Sequence, residues 1–233
     1  MIAGDSISLE QQFDGTRVNA ELVEAAKFNI VGGATVAGVQ KGFLYNGSTF
    51  TDIIYPGATI TQALGIDGSN IVGATRVGGI FRGFLYNGST FTDIIPPTST
   101  LTLAFGIYGS NIVGFYQGSA GDNRGFLYNG STFTDIIYPA SPINTSARGI
   151  DGSNIVGLAT ASGVQIGFLY NGSTFTEITY PGSDITRVLG IDGSNIVGSA
   201  RVGGTFRGFL YNGSTFTDII YPGATRTEAS GIG

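Results

Sequence analysis

The phrase Gly-Phe-Leu-Tyr-Asn-Gly-Ser-Thr-Phe-Thr, or a near copy, occurs five times, with its first glycine at Gly42, Gly83, Gly125, Gly167 and Gly208, in steps of 41, 42, 42 and 41 residues. A fixed period of this size means one supersecondary unit copied in tandem, each copy burying its apolar surface against the next. The array starts partway through a unit at Asn29-Ile30-Val31-Gly32 and stops partway through one at Ser230-Gly231-Ile232-Gly233. The two partial ends sum to one unit, so the spacing predicts a closed ring of five. An open solenoid would need no such match, and five copies do not fit a three-fold β-trefoil.

Within the second full copy, four strand-sized apolar runs are divided by turn chemistry: Ala63 to Ile66, Ile71 to Val77, Phe81 to Tyr86 and Thr90 to Ile95. The breaks are Asp67-Gly68, Gly78-Gly79 and Asn87-Gly88. Glycine accepts the positive φ that tight hairpins demand, so three hairpins make a four-stranded antiparallel meander. Strand residues are apolar on both faces; Phe84 and Tyr86 oppose Leu85. A sheet apolar on both faces must be covered on both faces, and small sheets covered by their own copies are propeller blades. The expected fold is therefore all-β: a five-bladed β-propeller over residues 29–233. Its four-stranded blades are closed by the C-terminal strand joining the N-terminal blade. Gly65, Gly106, Gly149, Gly190 and Gly231 interrupt the first strand of each unit, consistent with close backbone approach at a crowded axis or with a β-bulge. Residues 1–28 form an N-terminal extension that reads either as a short helix from Asn19 to Phe28 or as a decayed hairpin around Asp14-Gly15. Either form offers an edge for self-association.

Composition removes several functions. The 233 residues include neither His nor Cys, so the chain lacks the imidazole of Ser-His or Cys-His catalysis, thiolate metal ligands and disulfides. A net charge of -5 with 11 scattered basic residues gives no nucleic-acid face. Neither a membrane-length apolar run nor a charged-then-apolar leader is evident from Met1 to Leu9. No cofactor or metal is expected.

The GFLYNGSTFTDI and GIDGSNIVG segments resemble the bacterial extracellular HAF-type repeats, across residues 29–233. Glycine stands at Gly42 and its counterparts where that family often has His-Ala, and Tyr where Trp is common. The resemblance implies a secreted β-propeller and carries over no catalytic residue. Localisation is left open between an extracellular family and a chain without a visible leader.

Several repeated positions invite chemistry. The acids Asp52, Asp93, Asp135, Glu177 and Asp218 fall on the fourth strand, where five carboxylates could bind cations or simply deter edge pairing. Lys41, Arg82, Arg124 and Arg207 precede the third strand, and pairing with carboxylates is their expected role. Each Asn-Gly-Ser satisfies the glycosylation sequon, yet the hairpin turn alone accounts for it. Asp67, Asp151 and Asp192 supply too few oxygens for calcium and read as turn residues.

Variation among the copies is concentrated in the loops after the second and fourth strands, which an up-and-down meander places on one face. That rim is the expected binding surface, with Arg76, Phe115, Tyr116, Gln117 and Arg201 as ligand-binding candidates. The functional reading is a non-enzymatic repeat scaffold or binding module, multivalent and carbohydrate-binding, with glycans or another protein as partner. Lectins of the tachylectin type offer an analogy of fold. The alternative is a glycosidase-like five-bladed propeller, whose carboxyl pair would come from Asp122, Asp184 and Glu228, the acids within the ring that lie outside the repeated positions.

Overall fold

The computed structural model describes residues 7–13, 16–22 and 28–232. It is all-β, with no helix among those residues. β1 (Ile7–Phe13) and β2 (Thr16–Leu22) form a separate antiparallel pair running from Ile7 opposite Leu22 to Phe13 opposite Thr16. Residues 7–13 and 16–22 are paired as a hairpin; of the Asn19–Phe28 helical reading, residues 23–27 lie outside the described residues.

The first repeat supplies three strands, β3 (Ile30–Val36), β4 (Val39–Tyr45) and β5 (Phe50–Ile53). The second supplies four, β6 (Ile60–Asp67), β7 (Asn70–Val77), β8 (Ile80–Tyr86) and β9 (Phe91–Ile94). The third follows as β10 (Ser99–Tyr108), β11 (Asn111–Gly118), β12 (Asn123–Tyr128) and β13 (Phe133–Ile136). The fourth comprises β14 (Thr145–Asp151), β15 (Asn154–Ala161), β16 (Val164–Tyr170) and β17 (Phe175–Ile178). The fifth comprises β18 (Ile185–Asp192), β19 (Asn195–Val202), β20 (Thr205–Tyr211) and β21 (Phe216–Ile219). Within each unit the order is a simple antiparallel meander.

The first strand begins earlier than its apolar run suggests, because the connector is itself anchored. The Thr61 hydroxyl is buried and accepts from the Tyr55 backbone N–H at 3.1 Å; Thr145 and Thr186 do the same for Tyr138 and Tyr180. The extra length lets the incoming strand touch the preceding unit through single parallel bridges, Gln40 to Ile60 and Gln165 to Ile185, with Asn123 to Asn144 at the equivalent place. These joins fuse the meanders into three sheets of seven, four and eight strands, so the expected five separate four-stranded blades are not what the pairing gives.

The core lies between units. Each of the four junctions holds one apolar cluster around a fully buried phenylalanine, Phe84, Phe126, Phe168 or Phe209. Burying such a side chain contributes roughly 1.5–3 kcal/mol. First strands of successive units lie side by side. Both explanations of the first-strand glycines hold at once. The register slips between Ala63 and Gly65, and a Cβ on Gly65 would fall 2.5 Å from the Phe105 carbonyl oxygen and 3.3 Å from the Gly106 Cα. The series repeats from Gly106 to Gly149, from Gly149 to Gly190 and from Gly190 to Gly231.

The expected closure is not formed among the described residues. Residues 225–232 make no strand and do not pair with β3. They dock on the fifth unit as an incoming first strand does, with Thr227 N–H donating to the Phe206 carbonyl at 3.1 Å and Ala229 N–H to that of Gly198 at 3.4 Å. Gly231 thus occupies the slot of the next first strand, but its would-be Cβ meets nothing within 4 Å. The consequence is visible at both ends of the array. Phe50 of the first unit is 68% exposed and Tyr221 after the fifth is 74% exposed, so each terminal sheet has one uncovered face.

Candidate functional site

The two ends of the meanders present different chemistry. On one face lie the Asp-Gly and Asn-Gly turns. Asn87 Oδ1 accepts from the backbone N–H groups of Ser89 (3.0 Å) and Thr90 (2.8 Å), and the other four copies repeat this bond set. The asparagine thus closes its own turn. Asp67 and Asp151 reach further than a turn residue needs to, each accepting from the Gly109 or Gly193 N–H of the next unit at 2.6 and 2.7 Å.

Between units, this turn face carries grooves of one recurring design. The groove joining the second and third units is lined by Asn70, Leu85, Thr92, Ile94, Ile107, Gly109, Ser110, Ile112, Tyr128 and Gly130. The same residue types line the junctions of the first with the second unit and of the fourth with the fifth. Cavity volumes are about 340, 440 and 460 Å³ in chain order. Apolar walls with a few hydroxyls and an aromatic edge suit small organic ligands.

The opposite face carries the variable rim, and the structure separates its expected residues. Arg76 is exposed, its Nε bonded to the Gly79 carbonyl at 3.2 Å. Arg201 forms a two-pronged pair with Asp184, at 2.9 and 3.1 Å from Nε and 2.9 Å from Nη2. Gln117 contacts the Gly121 carbonyl at 3.4 Å. Phe115 is half-buried and stacks on Phe105 with ring centres 5.9 Å apart. Tyr116 does not join them: alternation along β11 turns it into the core between the second and third units, 6% exposed, where its hydroxyl donates to Asp135 at 2.9 Å.

The loop acids are each held by an arginine. Asp122 pairs with Arg124, Asp184 with Arg201, and Glu228 with Arg226 at 3.0 Å while accepting from Ser199 at 3.2 Å. The bond from Arg124 holds the Asp122 carboxyl below its ordinary value, and Arg201 does the same for Asp184. A glycosidase acid needs the reverse shift, so this environment does not make a proton donor of either. The repeated bases and acids meet within one unit: Lys41 with Asp52 (2.9 Å), Arg82 with Asp93 (3.6 Å), Arg124 with Asp135 (3.1 Å) and Arg207 with Asp218 (3.1 Å). No group of three or more acidic side chains placed to hold a metal occurs among the described residues.

Sequence reasoning missed a cleft on the rim side between the third and fourth units. It measures about 170 Å³ and is lined by Phe115, Asn123, Asn144, Thr145, Ser146, Arg148, Leu158, Thr160 and Gln165. Its marker was available in the sequence. At the residue before the first-strand glycine the copies read Leu64, Phe105, Arg148, Leu189 and Ser230, and Arg148 alone is charged.

No protein-family model matches the chain, and no curated protein matches it in sequence. Solved structures do match in shape. The lectin of Aleuria aurantia, solved as a point mutant in complex with Fucα1-6GlcNAc, aligns at a TM-score of 0.52 and 14% identity, over 90% of this chain and 85% of the lectin. The β-propeller domain of the Trilobed protease from Pyrococcus furiosus, described as having an open velcro topology, aligns at 0.57 and 12% identity, over 93% and 74%. The tricorn protease aligns at 0.52 and 15% identity over 86% of this chain but 23% of its own length. At such identities these likenesses show the fold, a propeller-like all-β array.

Proposed function

We propose that the chain is a non-catalytic, multivalent carbohydrate-binding propeller module of the HAF-repeat type. Residues 29–233 form the binding domain and 1–28 an extension outside it. The observation that carries the reading is the groove that recurs with the same lining at three of the four junctions. Quasi-equivalent sites on a rigid array convert weak single contacts into avidity against a repetitive ligand such as a glycan. The lectin of similar shape, solved with a fucosyl saccharide, supports the ligand class by analogy. The arginine-held loop acids favour binding over hydrolysis.

The ring closes when Ala229–Gly233 joins the first unit. The support is a matched pair of unsatisfied groups: among the described residues Tyr221 has no carboxylate partner and Asp52 has no tyrosine, although Tyr55, Tyr138 and Tyr180 each bond the acid of the following unit.

A glycan array probed with the labelled chain tests the function, alongside a variant filling three grooves at exposed turn positions, Ser69→Trp, Ser110→Trp and Ser194→Trp. Retention of neutral glycans by the native chain and its loss in the triple variant is expected. Equal retention by both proteins would overturn the groove reading.

A further inference from the structure

Arg148 sits at the bulge residue of β14, where the register slips between Ala147 and Gly149. Its Nε is buried without a hydrogen-bond partner, as is the hydroxyl of Ser146 two residues earlier on the same strand face. Ser146 is only 7% exposed. The guanidinium carbon lies over the Phe105 ring, 4.0 Å from its centre, a cation–π contact that uses none of its N–H donors. None of the residues lining the cleft is acidic, and Arg148 has no salt bridge among the described residues.

The charge of Arg148 is therefore poorly compensated. Burial pushes its guanidinium well below the ordinary arginine value, the nearby Arg187 pushes the same way, and Glu228 offsets only part of this. An arginine side chain remains protonated under physiological conditions, so a guanidinium with a buried, unpartnered Nε and no acid in its cleft favours an anion beside it. A guanidinium with an unpartnered Nε and an unpartnered hydroxyl lining the same cleft match a carboxylate, whose two oxygens can accept from both. The rest of the cleft has a different character. Asn123 donates to Asn144 at 3.0 Å and Gln165 accepts from Arg187 at 2.9 Å, and these carboxamides keep further donors and acceptors for hydroxyl groups. The volume of about 170 Å³ leaves room for one small ring.

We propose that this cleft binds a sugar acid, a hexuronate, with the carboxylate on Arg148 and Ser146 and the ring hydroxyls on the carboxamides of Asn123, Asn144 and Gln165. The site is distinct from the neutral-sugar grooves, and the proposal rests on the carbohydrate reading only for the ring half of the ligand.

Calorimetric titration of the full chain with glucuronate, glucose, acetate and inorganic sulfate tests it, in the native protein and in Arg148→Leu. Leucine is the residue that Leu64 and Leu189 provide at this position in other units, so the variant suits the fold. Glucuronate is expected to bind about tenfold or more tighter than glucose and than either simple anion, in line with a charge-assisted bond added to neutral ones. Arg148→Leu should remove that advantage with no loss of melting temperature. If Arg148→Leu does not fold, Ser146→Leu takes its place with the same expected loss, since Leu103 already stands at that position in the third unit. Glucuronate binding no tighter than glucose, acetate or sulfate matching glucuronate, or a variant that keeps the preference would each overturn the proposal. The groove-filling triple variant separates the two readings: it should keep glucuronate binding while losing neutral glycans.

Discussion

The hydroxyl of Tyr55 donates to Oδ1 of Asp93 across 2.6 Å, tying the connector after one unit to the fourth strand of the next. Tyr180 makes the same bond to Asp218 at 2.5 Å and Tyr138 reaches Glu177 at 3.4 Å. At the remaining junction Pro96 occupies the tyrosine position, and the third unit supplies the hydroxyl from its own second strand, through Tyr116 to Asp135 at 2.9 Å. A hydrogen bond to a charged acceptor contributes about 1.5–3 kcal/mol when shielded, and partial exposure lowers it here to about 1 kcal/mol. Tyr55→Phe and Tyr180→Phe should each cost that amount in denaturant unfolding. Unchanged midpoints would remove this bond from the account of how units adhere.

The same bonds set an alkaline limit. The bond to Asp93 raises the Tyr55 pKa above its ordinary 10.0, and Asp218 does so for Tyr180; burial leads the rise for Tyr116 and Tyr138, with Asp135 and Glu177 adding to it. A folded-state pKa above the unfolded one means that the stabilisation is complete below about pH 10 and is lost as pH rises through the higher value. Melting temperature should therefore fall above about pH 10, and a variant with phenylalanine at all four positions should show a flatter alkaline limb. Parallel limbs would contradict the assignment.

Closure can be tested by a double-mutant cycle between the ends of the chain. Asp52→Asn and Tyr221→Phe should couple by about 1 kcal/mol if the two terminal units meet, because each removes the same bond. Strict additivity of the two substitutions would mean that the array stays open.

Gly106 and Gly231 occupy the same repeat position in different surroundings. A Cβ on Gly106 would lie 3.1 Å from the Arg148 carbonyl oxygen and 3.3 Å from the Gly149 Cα, whereas one on Gly231 meets nothing within 4 Å. Gly106→Ala should cost about 1–3 kcal/mol through forced backbone displacement. Gly231→Ala should cost a similar amount in the closed ring proposed above, and be near neutral only if the array stays open. Chemical denaturation of both variants checks the contrast.

The period and its turn residues made the meander legible from sequence, because Asp-Gly and Asn-Gly leave the chain few alternatives between apolar runs. Spacing also placed the variable loops on one face. It also predicted that the partial units meet, and that contact is absent among the described residues: the tail docks on Phe206 of the fifth unit as the other first strands dock on the unit before them, but does not reach β3. The tyrosine bonds were missed because they compensate between distant places. The one repeat that has Pro96 in place of the connector tyrosine is followed by the one second strand that carries Tyr116. Arg148 was missed for the opposite reason, as a single departure within a strand otherwise read as structural.

The most direct test of the binding account is a hydrogen-exchange footprint of the chain saturated with the neutral glycan that the array retains best. The account predicts protection at the turns of successive units, residues 67–70, 109–111 and 193–195, where the repeated grooves open. Protection confined to the rim loops around Arg76, Gln117 and Arg201, or a chain that retains no glycan at all, would contradict it.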